Sequence, residues 1–303
     1  MRHFLLVLLI MIMIPYVSTL AWTGRLEGGR DHGERLTIVE RENKCIPMEV
    51  EEYLVHVLAA QIPADFEPET LKAQAVLART YIYGLMGQQA EIYEEELDMD
   101  ALSFEQMKAL WGETDFASMV SKLQSAVHET EGLYILYDGT IIEPLFCYAS
   151  AGKTRSFGAS FPYMKQVESP GDLHAENYRS LPVFEEKEFV RKINEIAGAV
   201  AVSEKELESG DGIQIVERDS SGYVKQIQIG QKTYTGEEVQ HALGLASSNY
   251  SFERLDGKIR VICRGIGHGY GFAQFGANEM AKEGKTYEEL LNYYFQNIEI
   301  VDS

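Results

Sequence analysis

A glycine-dense stretch near the carboxyl end, RGIGHGYGFAQFGANEMAKEGKTYEELLNYYF at residues 264–295, has the composition of a binding loop. Its closely spaced glycines would allow a ligand or a neighbouring segment to approach the backbone. A predicted helix follows, and its amino terminus offers free backbone N–H groups. The full Gly-x-x-x-x-Gly-Lys-Ser/Thr pattern is absent and the surrounding charge is acidic, so the loop does not indicate a phosphate site. His268, between two glycines, could donate a hydrogen bond or act as a base, and the loop could serve packing or binding.

Hydroxyl and cationic side chains gather where a predicted strand ends, in FCYASAGKTRS at residues 146–156. Ser150, Lys153 and Thr154 could bind a sugar or an anion there. A serine nucleophile would also need a base that is held by a third group, and a hydrolase that combines Ser150 with His268 is a minor alternative. For Cys147 we favour a buried strand residue over a reactive thiol.

An uncharged amide, Gln61, stands at the end of a predicted helix, in the stretch LAAQIPADFEPETLKAQAVLARTYIYGLMG at residues 58–87. Three carboxylates follow it, at Asp65, Glu67 and Glu69. Pro68 suits the first turn of the next helix, where Glu67 and Glu69 would favour the positive end of the helix dipole. These two carboxylates therefore have a structural explanation beside any catalytic one.

The elements that must position these residues mix strands and helices without a regular βαβ alternation. This order predicts an α+β fold with mixed, mostly antiparallel sheets. We expect a first strand at 36–39, a helix from Pro47 to Gln61, and a helix from Pro68 that is buried because it is small and apolar all round. The glycine-rich loop leads into carboxyl-terminal helices.

Local signals predict the remaining elements. Asp-Gly pairs at 138–139 and 256–257 indicate hairpin turns, and Thr235 with Glu238 indicates a helix that begins with a capping box. An acidic helical insertion is expected near residues 88–125. Three further expectations are a helix at 115–130, a strand at 163–167 and a helix at 185–196.

Composition excludes several classes of partner. The 303 residues carry 47 acidic and 27 basic side chains, a net charge of −20, so nucleic acid is not an expected partner. A neutral polymer or a basic protein fits better. Three scattered cysteines do not form a disulfide framework, and no metal-ligand spacing or cofactor motif is present. We therefore predict neither a metal nor a cofactor.

Residues 1–22 begin with Arg2 and continue through a long apolar run. This pattern indicates a signal peptide or an amino-terminal membrane anchor, and we favour the anchor. Residues 23–35 are expected to be a tether and residues 36–303 a single domain. The domain would then be extracytoplasmic, and it would contact the membrane through the amino-terminal segment only.

Four stretches carry a resemblance to a known family: EYLVHVLAAQIPADFEPE, LKAQAVLARTY, SAGKTR and GHGYGFAQFGANEMAKEGKTYEELLNYYF. Their order over residues 36–300 resembles the stage II sporulation protein D family, which includes amidase-enhancer proteins. The resemblance implies a membrane-anchored protein that faces the cell wall. It also implies a lytic transglycosylase that acts on peptidoglycan glycan strands during engulfment, alongside a cell-wall amidase of the stage II sporulation protein P type.

The sequence departs from this family at the residue that the family uses as acid and base. The family has a Glu in a Ser-Glu-Met-Pro type turn, and here the turn is Ala-Gln-Ile-Pro with Gln61 in that place. An amide has no proton to release, and losing a general acid costs about two to four orders of magnitude in rate. Phe-Ala-Gln-Phe replaces Met-Ser-Gln-Tyr at 272–275, and Cys147 replaces an expected histidine. The residues that the resemblance implies for substrate binding are Arg79, Ser150, Lys153, Thr154, His268 and Gln274.

Three hypotheses follow. In the first, the protein still binds glycan strands and recruits or stimulates an amidase, with weakened or lost transglycosylase activity. In the second, a nearby carboxylate, Asp65, Glu67 or Glu69, donates the proton and the enzyme is active. In the third, Gln61 is an isosteric knockout of an active enzyme.

Overall fold

The protein is represented by a computed structural model, which describes residues 35–41, 44–198, 202–208 and 212–303. Leu36–Ser303 forms one unit of the chain. The predicted anchor at 1–22 and almost all of the predicted tether lie outside the described residues. Within the described ranges, no helix is both long enough and apolar enough to cross a membrane.

The described residues contain eight α-helices and fifteen strands. The helices are α1 (Val50–Gln61), α2 (Pro68–Met86), α3 (Phe104–Glu129), α4 (Glu186–Ala197), α5 (Glu204–Glu208), α6 (Gly236–Leu243), α7 (Gln274–Lys282) and α8 (Tyr287–Tyr294). The strands are β1 (Leu36–Arg41), β2 (Lys44–Glu49), β3 (Glu91–Tyr93), β4 (Leu133–Tyr137), β5 (Thr140–Ile141), β6 (Phe146–Cys147), β7 (Arg179–Ser180), β8 (Val183–Glu185), β9 (Ile213–Arg218), β10 (Val224–Ile229), β11 (Lys232–Thr235), β12 (Tyr250–Leu255), β13 (Lys258–Arg264), β14 (Phe272–Ala273) and β15 (Glu299–Asp302).

The strands form small separate sheets. Three of these sheets have the strand orders β2-β1-β3, β15-β4-β5 and β11-β10-β9. In a fourth sheet β13 pairs with β12, β7 and β8. The fifth sheet is the pair of β14 and β6. The β1–β3 and β6–β14 pairs are parallel, and the others are antiparallel. The prediction of an α+β fold with mixed, mostly antiparallel sheets is confirmed.

The turns and caps with strong local signals form as predicted. Asp138 and Gly139, with φ of 50° and 73°, connect β4 to β5 in the conformation that two-residue hairpins favour. The turn at 256–257 connects β12 to β13. Thr235 and Glu238 form the expected capping box of α6.

The predicted start of the first helix at Pro47 is wrong. Pro47 lies in β2, opposite Ile38 of β1, and α1 begins only at Val50. Because β2 is at the edge of its sheet, a proline there removes no hydrogen bond that a second neighbouring strand would need. The predicted end of this helix at Gln61 is confirmed.

The predicted strand at 163–167 is also wrong, because the backbone groups of Val167 bond to Thr154 and not to a neighbouring strand. Val167 exchanges hydrogen bonds with Thr154, from its backbone N–H to the threonine Oγ1 and from the threonine N–H to its carbonyl. The helix expected at 115–130 begins earlier, at Phe104, and Gly112 interrupts it with a φ of 76° and a ψ of 167°. The acidic stretch before α3 contains β3 and a short 3-10 turn at Glu94–Glu96.

Helix α2 is buried, as predicted, with 13 of its 19 residues inaccessible to solvent. One side, with Leu71, Ala75 and Ile82, belongs to a core that it shares with α1 and α3. The other side, with Val76 and Leu77, belongs to a second core with β4, α7 and α8. A third core joins α4–α6 to the strands β9–β13. Helix α2 therefore links the first two cores, and the ends of α1 and α7 both lie against it.

Candidate functional site

Three glutamine side chains meet where α1 ends, α7 begins and α2 passes between them. Gln74 of α2 donates a hydrogen bond of 2.9 Å from Nε2 to Oε1 of Gln61, the last residue of α1. Gln274, the first residue of α7, donates from Nε2 to the Gln61 carbonyl at 2.9 Å and to Oε1 of Gln74 at 3.1 Å. Gln74 and Gln274 are buried, whereas Gln61 is part-exposed. We call these three residues the amide cluster.

The amide cluster determines what Gln61 can offer to a ligand. Its Oε1 accepts the hydrogen bond from Gln74, and its Nε2 amide is a hydrogen-bond donor that could bind a ligand. This amide has no proton that it can transfer. The same place would accommodate a carboxylate, because a glutamate oxygen could accept the bond from Gln74 as Oε1 does. Sequence reasoning identified Gln61 and Gln274 but missed Gln74, whose only signal is a lone amide in a helix of small apolar residues.

Three aromatic rings pack together beside the amide cluster. Ring centroids are 6.3 Å apart for Phe66 and Tyr148, 6.1 Å for Phe66 and Phe275, and 6.1 Å for Tyr148 and Phe275. Phe275 follows Gln274 in the chain, and its N–H donates to the Tyr148 carbonyl at 2.9 Å. Phe66 is buried, while Tyr148 and Phe275 are part-exposed. Sequence analysis did not single out these rings.

The glycine loop packs closely against β6. A Cβ added at Gly271 would lie 1.9 Å from the Leu145 carbonyl oxygen, and one at Gly267 would lie 2.9 Å from Cβ of Cys147. These glycines are needed because the two backbones approach each other without room for side chains. Of the two roles left open for the loop, packing is the one that these contacts support.

His268 is held within the same loop. Its Nδ1 accepts a hydrogen bond of 2.9 Å from the Tyr270 N–H, so the neutral ring carries its proton on Nε2. Burial lowers the pKa of His268 and the positive charge of Arg155 lowers it further, against the opposing effect of a hydrogen bond with the Phe146 backbone. None of these contacts joins His268 to the amide cluster.

Arg155 connects the glycine loop to the β9–β10 turn and to α6. Its guanidinium pairs with Asp219 at 2.6 Å and with Glu237 at 2.9 Å. The same group lies 4.3 Å from the ring centroid of Tyr270 and 4.7 Å from that of Tyr223. The Arg155 side chain is buried, so its guanidinium stabilises the loop and is not accessible to a ligand in solvent.

The residues of the SAGKTR segment separate into buried and exposed ones. Ser150 is fully buried, and its N–H and Oγ both donate to Oδ2 of Asp172, at 2.9 and 2.5 Å. Thr154 is buried and bonded to Val167. Lys153 is the exposed member, and it pairs with Glu168 at 2.7 Å on the surface. The structure therefore brings neither Ser150 nor Thr154 to an accessible surface.

Asp172 is a buried carboxyl group that sequence analysis missed. Besides the two bonds from Ser150, it accepts a hydrogen bond of 2.7 Å from the Gly276 N–H in the first turn of α7. Burial raises the pKa of Asp172 to about 6, although hydrogen bonds from Ser150, Ser169 and Gly276 act in the opposite direction. The group thus ties the SAGKTR segment to the start of α7, and its exposed fraction of 0% separates it from any glycosidic oxygen.

Arg79, expected at the substrate, lies in the core instead. Its side chain has an exposed fraction of 0% and forms a bidentate pair with Glu51, with distances of 2.7 and 2.6 Å. It also donates to the carbonyls of Leu133 and Val127. The reason is its position on the buried helix α2, where a charged group must have all its donors paired.

The structure does not assemble a serine or cysteine nucleophile from the expected residues. Ser150 contacts Asp172, while the ring nitrogens of His268 bond to backbone groups. Cys147 is buried in β6, and burial raises the pKa of its thiol far above the usual range. The buried strand residue that the sequence favoured is what the structure contains.

Two cavities of the described residues lie away from the amide cluster. Among the described residues, no group of three or more His, Cys, Asp or Glu side chains could hold a metal ion. A cavity of about 660 Å³ is lined by residues such as Glu40, Cys45 and Tyr93, and one of about 420 Å³ by residues such as Glu52 and Phe104. Neither of these two cavities is lined by the amide cluster.

Fold and site together define an α+β protein with a part-exposed amide at a helix end, supported by two buried amides and flanked by aromatic rings. Several known proteins are similar to this chain in sequence. The family model described as "Stage II sporulation protein" matches residues 40–137. Over 267 residues the chain is 33% identical to stage II sporulation protein D of Bacillus subtilis (strain 168). This alignment covers 84% of this chain and 75% of the relative.

Two further relatives agree with this match. The chain is 33% identical over 267 residues to stage II sporulation protein D of Bacillus amyloliquefaciens, covering 84% of this chain and 74% of that protein. It is 22% identical over 289 residues to the amidase enhancer of Bacillus subtilis (strain 168), covering 79% of this chain and 39% of that protein. The chain belongs to the stage II sporulation protein D family and is a sporulation-related cell-wall protein. The family resemblance found in the sequence is confirmed.

Proposed function

We propose that this protein binds the glycan strands of peptidoglycan during engulfment and has weakened or lost lytic transglycosylase activity. The observation that carries the proposal is the amide cluster. The resemblance assigns Gln61 to the place of the family's acid and base, and Gln74 donates to its Oε1 at 2.9 Å. In this proposal the amide offers hydrogen bonds to a sugar and lacks the proton that cleavage needs.

The chemistry explains why an amide is inadequate. A lytic transglycosylase protonates the glycosidic oxygen as the bond to the anomeric carbon breaks, and the 6-hydroxyl of the muramic acid then attacks that carbon. One carboxyl group can first donate and then accept the proton. Gln61 can donate a hydrogen bond to a sugar oxygen, which supports binding, but it can do neither proton transfer.

The other carboxyl groups near Gln61 differ in how available they are. Glu69 pairs with Lys72 at 2.7 Å and accepts a hydrogen bond from the Tyr287 N–H, so it is engaged. Asp65 is exposed, and Glu67 is part-exposed at the start of α2. Asp65 and Glu67 are therefore the two groups through which the alternative, an active transglycosylase, would operate.

Product analysis tests the loss of cleavage. The purified full chain is incubated with peptidoglycan freed of its peptides, and anhydromuramic ends are measured by mass spectrometry. We expect little product from the natural sequence and at least about 100-fold more from Gln61→Glu, since a positioned general acid contributes about two to four orders of magnitude. Gln88→Glu, at an exposed position, is the matched control and should add nothing. Abundant product from the natural sequence would refute the proposal.

Location and partner are also part of the proposal. The apolar run within residues 1–22 supports a domain outside the cytoplasm that is anchored through that segment. The relative named amidase enhancer supports a cell-wall amidase of the stage II sporulation protein P type as a partner. Adding the full chain to such an amidase on intact peptidoglycan should raise the rate of peptide release. An unchanged rate would remove the amidase from the proposal and leave glycan binding intact.

A further inference from the structure

The three aromatic rings beside the amide cluster are built as a platform. Phe66 is buried and packs against the part-exposed rings of Tyr148 and Phe275, whose planes are tilted by 58° to each other. The N–H of Phe275 donates to the Tyr148 carbonyl at 2.9 Å, so adjacent backbones hold the two outer rings. Gln274, one residue before Phe275, donates to the Gln61 carbonyl at 2.9 Å. The platform and the Gln61 amide are therefore fixed to the same short segments.

We propose that Tyr148 and Phe275 form a stacking subsite for one pyranose ring of a neutral N-acetylated glycan, next to the Gln61 amide. This inference rests on the proposed glycan binding and names where a sugar ring lies. An aromatic face binds the C–H surface of a pyranose, while its hydroxyl and acetamido groups need polar partners at the edge. The Gln61 N–H₂ supplies donors at that edge.

The polar groups around Tyr148 fit such a ligand. Burial raises the pKa of Tyr148, and the negative charges of Glu176 and Asp65 raise it further, so its hydroxyl stays protonated and can donate. Glu176 and Asp65 are exposed carboxylates that can accept hydrogen bonds from sugar hydroxyls. The same two charges oppose a polyanionic ligand.

The size of the platform separates a sugar from a protein partner. Only two of its three rings reach solvent, and each does so in part. A stable protein interface buries about 1,200–2,000 Å² in total, far more than two part-exposed rings provide. A single pyranose ring needs an apolar surface of the size of one or two aromatic side chains.

Calorimetric titration of the full chain with chitopentaose, a neutral N-acetylglucosamine oligomer, tests the inference. Phe275→Leu and Tyr148→Leu keep apolar bulk and remove the ring, and each should weaken binding about tenfold. Tyr148→Phe keeps the ring and should stay within about threefold of the natural protein. Tyr93→Leu changes a 50% exposed tyrosine outside the platform and should have no effect.

Each outcome decides one question. If the natural protein binds chitopentaose and both leucine variants bind equally well, the subsite is refuted while glycan binding stands. If the natural protein binds neither chitopentaose nor insoluble peptidoglycan, the proposed function fails as well. If one leucine variant loses its thermal unfolding transition, the other decides: a folded variant that binds chitopentaose as tightly as the natural protein would contradict stacking.

Discussion

Gln74 Nε2 donates a 2.9 Å hydrogen bond to Oε1 of Gln61, from the middle of one helix to the last residue of another. This bond sets the orientation of the Gln61 side chain. The acceptor oxygen bonds within the protein, and the amide N–H₂ is the group that the proposed function assigns to a ligand.

Removing the Gln74 amide should destabilise the protein. Gln74→Leu removes the donor to Oε1 of the part-exposed Gln61, and it removes the side-chain acceptor that the buried Gln274 uses. We expect the free energy of unfolding in urea to fall by about 1–3 kcal/mol. Gln88→Leu, at an exposed position, should change it by less than about 0.5 kcal/mol. Equal effects of the two substitutions would contradict a buried hydrogen-bonded cluster.

Arg79 should act on stability. Arg79→Met removes the charged partner of Glu51 and one donor to each of the Leu133 and Val127 carbonyls, so the free energy of unfolding should fall by about 3 kcal/mol or more. Arg191→Met breaks the exposed pair with Glu195 and should cost less than about 1 kcal/mol in the same urea titration. A stable, folded Arg79→Met variant that has lost only chitopentaose binding would instead place Arg79 at the ligand.

The buried Asp172 should make stability depend on pH. Burial raises its pKa to about 6 from its usual value of 3.8. The folded state therefore holds this proton more tightly than the unfolded state does. The resulting stabilisation, about 3 kcal/mol, is fully present below about pH 3.8 and is lost as the pH rises through about 6.

Urea titrations from pH 4 to 7 measure this effect. The difference in unfolding free energy between the natural protein and Asp172→Asn should shrink as the pH rises, because asparagine does not titrate. Ser150→Ala removes a hydrogen bond that lowers the pKa of Asp172, so the pH range of the loss should move upward. A difference that does not vary with pH would rule out this linkage.

Gly271 should tolerate no side chain. A Cβ there would lie 1.9 Å from the Leu145 carbonyl oxygen, and the residue has a φ of 69°. Gly139 is a control with a similar φ of 73° and nothing within 4 Å of its added Cβ. Gly139→Ala should cost about 1 kcal/mol, whereas Gly271→Ala should cost more than about 2 kcal/mol by thermal or urea unfolding. Equal losses would mean that backbone strain alone, and not close packing, requires glycine in the loop.

Features that depend on neighbours in the chain could be predicted from the sequence. The hairpin at Asp138 and Gly139, the cap at Thr235 and the end of α1 at Gln61 all have the expected form. Each is determined by backbone preferences and hydrogen bonds within a few residues. The small residues of α2 likewise predicted its burial, since no polar face was available to meet water.

Errors arose where distant segments compete for the same backbone groups. Pro47 had the local pattern of a helix start, yet β1 paired with that segment and made it an edge strand. The segment at 163–167 had strand-forming residues, but Thr154 took the hydrogen bonds of Val167. Such choices depend on which partner is close by in space, and the local pattern does not contain that information.

By itself, the sequence determined the family, the α+β class and the presence of an amide at residue 61. Only the tertiary structure decided how that amide is held, because its partner Gln274 is 213 residues away and Gln74 approaches from a different helix. It also decided that Arg79 faces Glu51 and that the rings of Tyr148 and Phe275 lie 6.1 Å apart. Chemical type is a property of a residue, whereas exposure and partners depend on how the cores pack.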